Sequence, residues 1–156
     1  MRMLRFGAAA ATAAVLLFAC GGEKPKGSGG QPKKPAAPAY KVQHDEAALA
    51  KAKEVYSKIC FFCHGKTGKG DGSGGVALKP RPTSFTTAAF HKRLEQKGGL
   101  AYVKKVILKG GQGVGLSAGM PAHSIETYPT LKDEKVLTEL AKYVVYDLGK
   151  YPKKLK

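Results

Sequence analysis

The stretch Cys60-Phe61-Phe62-Cys63-His64-Gly65 constrains this chain more than any other, since whatever those side chains bind must become the centre of the fold. C-x-x-C-H sets two thiols at the spacing where both can add across the vinyl groups of one haem, with the next imidazole turned onto the iron. Cys60 and Cys63 are therefore expected to form thioethers, and His64 to be the proximal ligand. Half of a zinc site is a rival reading, but structural zinc takes four ligands and no second C-x-x-C or H-x-x-x-H supplies the rest. A thioredoxin-like redox pair also uses C-x-x-C, yet it belongs in a βαβ setting and has no need of His64. Of the three cysteines only Cys20 remains, so no pair is left for a structural disulfide. Haem attachment would be the covalent staple of the fold.

Residues 1–19 carry Arg2 and Arg5 and then run apolar from Phe6 to Ala19, broken by Gly7 and Thr12, which is the layout of a secretory signal. The run is shorter than the roughly 20 residues a permanent membrane span requires, so cleavage is expected. Leu17-Phe18-Ala19-Cys20 resembles a bacterial lipobox, which would make Cys20 the lipid-modified new N-terminus. An ordinary signal cut nearby is the alternative. Residues 20–42 follow as a tether of Gly, Pro, Lys, Ser, Gln and Ala with too little apolar surface to form a core. Extended like polyproline, its Gly21 to Ala39 stretch reaches up to about 60 Å at roughly 3.1 Å per residue. The expected location is the periplasmic side of a bacterial membrane. Gly21 carries no Asp-type retention signal, which leaves inner and outer membrane open.

With 156 residues, the chain has room for one domain of ordinary size, placed at 43–149 and followed by a basic, frayed tail at 150–156. Asp45 and Glu46 are start signals for a helix whose apolar stripe, Leu49, Ala52, Tyr56 and Ile59, leads into Cys60 and stops at Gly65. The glycine-rich stretch Gly65 to Gly75 formally contains G-x-G-x-x-G. Without a preceding strand it reads as a flexible loop around the haem rim, not a phosphate cradle. Between Thr83 and Gln96 one short helical turn is expected at Ala88 to Phe90, with His91 exposed. Leu100, Val103 and Ile107 mark a helix stopped at Gly110-Gly111. A last helix starts at Thr130, Asp133 and Glu134, carries Leu137, Leu140, Ala141, Val144 and Leu148 in helical register, and stops at Gly149 and Pro152.

The formal charge of +16 suits nucleic acid, an anionic membrane or acidic proteins. No nucleic-acid module is present and the export signal leads away from the genome, so acidic partners and lipid are favoured over nucleic acid.

Two of three methionines, Met1 and Met3, lie in the signal, leaving Met120. It sits in a loop, Gln112 to His123, between Gly119 and Pro121, where it can act as the sixth ligand in the Met/His pairing of such haems. His123 is the second choice, and His44 lies too near the tether. The proximal imidazole needs its other nitrogen held by an acceptor; Pro80 is the candidate carbonyl, with Pro82 as alternative. Arg81 can meet a haem propionate or stay a solvated charge.

Together the C-x-x-C-H-G at Cys60 to Gly65, Gly68-Lys69-Gly70-Asp71-Gly72, Pro80-Arg81-Pro82 and Gly119-Met120-Pro121 resemble a class I (mitochondrial-type) bacterial monohaem cytochrome c, in lipoprotein form, over residues 43–149. The resemblance implies an all-α cytochrome c fold, a few helices around one covalent haem, with Ala52 and Tyr56 crossing Leu140 and Tyr143. It implies an electron carrier, not an enzyme. Lys66, Lys69, Lys79 and Lys109 would steer an acidic redox protein or respiratory complex, or belong to a generally basic surface. A haem enzyme, a gas sensor and a fixed subunit of a larger complex are the competing functions.

Overall fold

The computed structural model describes residues 40–155. The signal, Cys20 and the tether up to residue 39 therefore lie outside the described residues. What is described is all-α: helices and turns, with no strand among the described residues.

Helix α1, Glu46–Val55, begins where Asp45 accepts a hydrogen bond from the Ala48 amide at 3.1 Å, with Glu46 complementing the positive end of the helix dipole. It buries Ala48, Leu49, Ala52 and Val55. The chain continues through a π-helical turn, Tyr56–Cys60, into α2, Phe61–His64, and Gly65 ends it at φ 74°. The wider π turn shifts the phase of the stripe, so Ile59 and Cys60 end up half-buried beside α1's core face.

Helix α3, Ala88–Lys97, and helix α4, Gly99–Lys109, meet at Gly98, which is left-handed at φ 100°. A 3₁₀ turn, Pro129–Lys132, precedes α5, Glu134–Lys142, which runs on as a π-helical stretch, Tyr143–Leu148. Asp133 caps α5 by accepting from the Lys135 amide at 2.9 Å. α1 and α4 both pack on α5. Ala52 and Leu140 expose nothing, and the rings of Tyr56 and Tyr143 meet edge to face at 5.4 Å, as the resemblance implied for these residues.

Three expectations are corrected. The single turn at Ala88 to Phe90 is a ten-residue helix, because Thr87 caps it by accepting from the Phe90 amide and because its two buried anchors, Phe90 and Leu94, lie four residues apart on one helix face. The basic tail is tied down as far as Leu155: Tyr151 is buried and donates to Glu95 at 2.7 Å, and the Leu155 amide donates to the Tyr146 hydroxyl at 2.9 Å. Packing also begins before residue 43, since Tyr40 donates its amide to the Pro152 carbonyl at 3.1 Å and lies 5.3 Å from the Tyr146 ring.

Candidate functional site

A cavity of about 580 Å³ opens beside the C-x-x-C-H turn, within the roughly 300–1,000 Å³ usual for cofactor pockets. Cys60, Cys63 and His64 line it from one segment, and Met120 and His123 from a second that follows α4. Phe85, Phe90, Val103, Val106, Ile107 and Leu116 supply much of its apolar wall. Pro80 and Arg81 also reach it.

His64 is fixed on two sides. Its Nδ1 lies 3.3 Å from the Thr83 carbonyl, and its ring stacks on Phe85 at 4.6 Å and 22°. The acceptor is thus Thr83 and neither Pro80 nor Pro82. The Pro82 oxygen is turned against Gly70, where an added Cβ would come within 2.3 Å of it, and Pro80, on the same strap of residues 78–85, is exposed. With Nδ1 engaged, Nε2 has no hydrogen-bond partner among the described residues. Burial lowers the pKa of His64, against the opposing effect of the Thr83 bond, and keeps the imidazole neutral as a metal-binding nitrogen must be. Burial, followed by the neighbouring Cys63, pushes the Cys60 thiol up to about 12.

The glycine stretch is a tightly bonded cap rather than a flexible loop. Gly70, Gly72 and Gly74 donate their amides to the carbonyls of His64, Cys63 and Phe62 at 3.0, 3.2 and 2.9 Å, which satisfies the acceptors at the end of α2. Those amides point into the protein, so they form no anion cradle. Gly72 has to be glycine: a Cβ there would sit 2.3 Å from the Phe62 oxygen and 2.6 Å from that of Phe61. The Phe85 amide donates to the Gly68 carbonyl at 2.8 Å, tying this cap to the strap that carries Thr83.

The Met120 loop follows the same plan. The His123 amide donates to the Ile107 carbonyl near the end of α4 at 3.0 Å, and the Gly111 amide donates to the Met120 carbonyl at 2.9 Å. A Cβ on Gly111 would come within 1.9 Å of the Ser117 oxygen. Met120 is half-buried; His123 packs edge to face on Tyr128 at 5.4 Å, and burial lowers its pKa.

Lys58, Arg81 and Arg93 are the cationic side chains on the cavity, and no carboxylate lines it. Arg93 escapes a reading by motif, because nothing in the sequence marks it out among the charged residues of α3. Neither arginine is ion-paired among the described residues. His44 is remote from this set and contacts Glu139, its Nδ1 lying 2.5 Å from Oε2. His91 is half-buried, not exposed, with Nε2 2.8 Å from the Gly149 carbonyl. Lys66, Lys69, Lys79 and Lys109 are all exposed. Among the described residues no three His, Cys, Asp or Glu side chains gather to hold a metal ion, and no helix is long and apolar enough to cross a membrane.

Neither a protein-family model nor a curated protein matches this chain.

Proposed function

We propose that this chain is a single-electron carrier with a cytochrome c fold, in which Cys60 and Cys63 would hold one haem c through thioethers and His64 and Met120 would supply the protein donors to its iron. One observation carries the reading: two thiols, an oriented neutral imidazole and a thioether, from segments far apart in sequence, converge on one apolar cavity. When bound, the haem supplies a reversible one-electron iron couple. The donor set fits that group, as do Arg81 and Arg93, which can receive its two carboxylates on a wall free of acidic residues. Thr83 and Phe85 hold the His64 ring in plane and leave Nε2 for the metal. Met120 brings a soft, neutral donor and the apolar wall disfavours added positive charge, so both raise the reduction potential. Two protein ligands leave no position for substrate, which suits electron transfer better than catalysis or gas sensing. Export and lipidation at Cys20 would place the carrier on the periplasmic side of a membrane, facing acidic redox proteins or a respiratory complex.

The test is spectroscopic. Full-length protein matured in a cytochrome-competent host should keep its pigment through acidified organic solvent, show a weak red thioether-to-iron band when ferric, and resist carbon monoxide when reduced. Met120→Ala should abolish that band, lower the potential and admit carbon monoxide; an unchanged spectrum rejects Met120. Ready carbon monoxide binding by the wild type would favour an enzyme or sensor. A colourless product would end the haem reading altogether.

A further inference from the structure

Aromatic side chains run in single file from the His64 wall of the cavity to the segment ahead of α1. Phe85 stacks on His64 at 4.6 Å, Phe90 lies 5.3 Å from Phe85, and the His91 ring lies 6.2 Å from Phe90. From His91 the file passes to Tyr151 at 5.1 Å, to Tyr146 at 6.3 Å and to half-buried Tyr40 at 5.3 Å. Each step falls within the centroid separation of about 4.5–7 Å at which rings interact. His91 is held in the file by its own bond, with Nε2 2.8 Å from the Gly149 carbonyl.

Tyr151 differs from the other tyrosines of the file. Its hydroxyl donates to a carboxylate, Glu95 Oε1 at 2.7 Å, whereas the Tyr146 hydroxyl accepts from the Leu155 amide. Burial, followed by the bond to Glu95, pushes the Tyr151 phenol up to about 12. That same bond, followed by Lys153 at 3.6 Å, holds the Glu95 carboxyl below its ordinary range. At neutral pH the pair is therefore a protonated phenol facing an ionised carboxylate. A phenol that loses an electron becomes a strong acid, and an acceptor already within hydrogen-bond reach can take its proton. The chain has no tryptophan, so tyrosines are its most readily oxidised rings.

From this arrangement, and resting on the electron-carrier reading, we infer that Tyr151 is a redox-active tyrosine, through which a small inorganic radical anion of the carbonate-radical class, striking at Tyr40, is reduced by the iron. The radical anion takes one electron from the Tyr40 ring and becomes the dianion. Tyr40 recovers that electron from Tyr151 across Tyr146. The Tyr151 phenolic proton moves to Glu95 Oε1, which leaves a neutral tyrosyl radical beside a protonated carboxyl. Tyr151 then regains an electron across His91, Phe90, Phe85 and His64, and its proton returns from Glu95. One electron has gone from iron, ferrous before and ferric after, to the oxidant, and no proton is gained or lost. The formal charge of +16 draws such an anion to the protein.

The test delivers the oxidant at one end, because Tyr102 and Tyr128 line the cavity and would answer a diffusing radical in parallel. In the full-length haem protein exposed Lys41 is changed, Lys41→Cys, and joined to a ruthenium polypyridyl complex, with attachment at that position verified by peptide mass. A light flash with a dissolved ruthenium(III) ammine as quencher turns the label into a one-electron oxidant. With the iron ferric, the flash should leave a long-lived tyrosyl radical that Tyr151→Phe removes and Glu95→Gln weakens. With the iron ferrous, the radical should decay as the ferrous band bleaches, in a first-order phase independent of protein concentration. Phe90→Leu should keep the radical and lose that phase. Tyr151→Phe keeps the ring and Phe90→Leu an apolar side chain, and a wild-type absorption spectrum in each checks that the cavity stands. Radical and bleaching kinetics that ignore both substitutions would overturn the relay. Colourless wild-type protein would sink the carrier reading itself, whereas coloured protein with unaffected flash kinetics sinks the relay alone.

Discussion

Where α1 crosses α5, side chains make the contact: Ala52 and Leu140 expose no surface, and Tyr56 and Tyr143, just past the ends of the two helices, meet edge to face. Where the cavity loops meet α2 and α4, backbone makes it: amides of Gly70, Gly72, Gly74 and His123 donate to helix-end carbonyls at 2.9 to 3.2 Å. The crossing tolerates other apolar shapes at a graded cost, because packing energy is a sum of many small terms. The caps admit no added side chain without a backbone shift, because a carbonyl oxygen 1.9 or 2.3 Å from an added methyl must move away from it. Stability is therefore concentrated in the crossing, and the placement of His64 and Met120 in the caps.

Leu140→Ala attacks the crossing. It should cost about 2–5 kcal/mol in urea unfolding, the range for a large-to-small change at a fully buried leucine. Any haem spectrum should survive in the fraction that stays folded. Loss of the red band at unchanged stability would show that crossing and site are not separate. Gly111→Ala attacks a cap. The forced shift away from the Ser117 oxygen should cost about 1–3 kcal/mol, the usual range for overpacking. Its larger effect should be on Met120, whose carbonyl accepts from the Gly111 amide, so weakening of the red band and a lowered potential are expected.

Glu139→Gln tests a third kind of contact, a buried polar cluster outside the cavity. Glu139 lies on α5 and joins it to the segment ahead of α1 through His44 Nδ1 and the Asp45 amide at 3.3 Å, and it accepts at 2.7 Å from Lys142 of its own helix, which also donates to the Gln43 carbonyl at 2.8 Å. Burial pushes its pKa up, but the bonds from Lys142, His44 and Asp45 outweigh it, and the carboxyl sits below its ordinary 4.5. A depressed folded value means stability that is present above pH 4.5 and is lost as pH falls through the folded value. The variant should lose about 1–3 kcal/mol at pH 7, and its acid limb should be flatter than that of the wild type. An acid limb that is identical in both would remove Glu139 from the account.

The crossing was legible in the sequence because helical spacing and caps report on local structure: Asp45, Asp133 and the stripes ending at Ile59 and Leu148 point to the right helices. The site was legible as chemistry and not as geometry. Cys60, Cys63, His64 and Met120 do share a cavity, yet the acceptor for His64 is Thr83, because the turn of the strap over Gly70 is a long-range contact. The glycine stretch looked flexible in composition, since composition does not reveal which carbonyls its amides will meet. The ordered tail and Arg93 were missed for the same reason: their roles come from Tyr40, Tyr146, Glu95 and the cavity, all distant in sequence.

Tyr56 is where the two kinds of contact join. Its ring packs on Tyr143 in the crossing, and its hydroxyl donates to the Gly65 carbonyl at 2.7 Å, in the residue that ends the C-x-x-C-H turn. Burial, followed by the nearby Cys60, raises its pKa strongly, so the hydroxyl stays a donor across the working range of pH. Tyr56→Phe keeps the ring and deletes the donor. It should cost only about 0.5–1.5 kcal/mol, since one hydrogen bond is lost and no cavity is made. If the caps alone position His64, the spectrum and potential should not move. A shifted potential at that small stability cost would mean that the crossing holds the turn from beneath, and that the division between packing and placement breaks at this one hydroxyl.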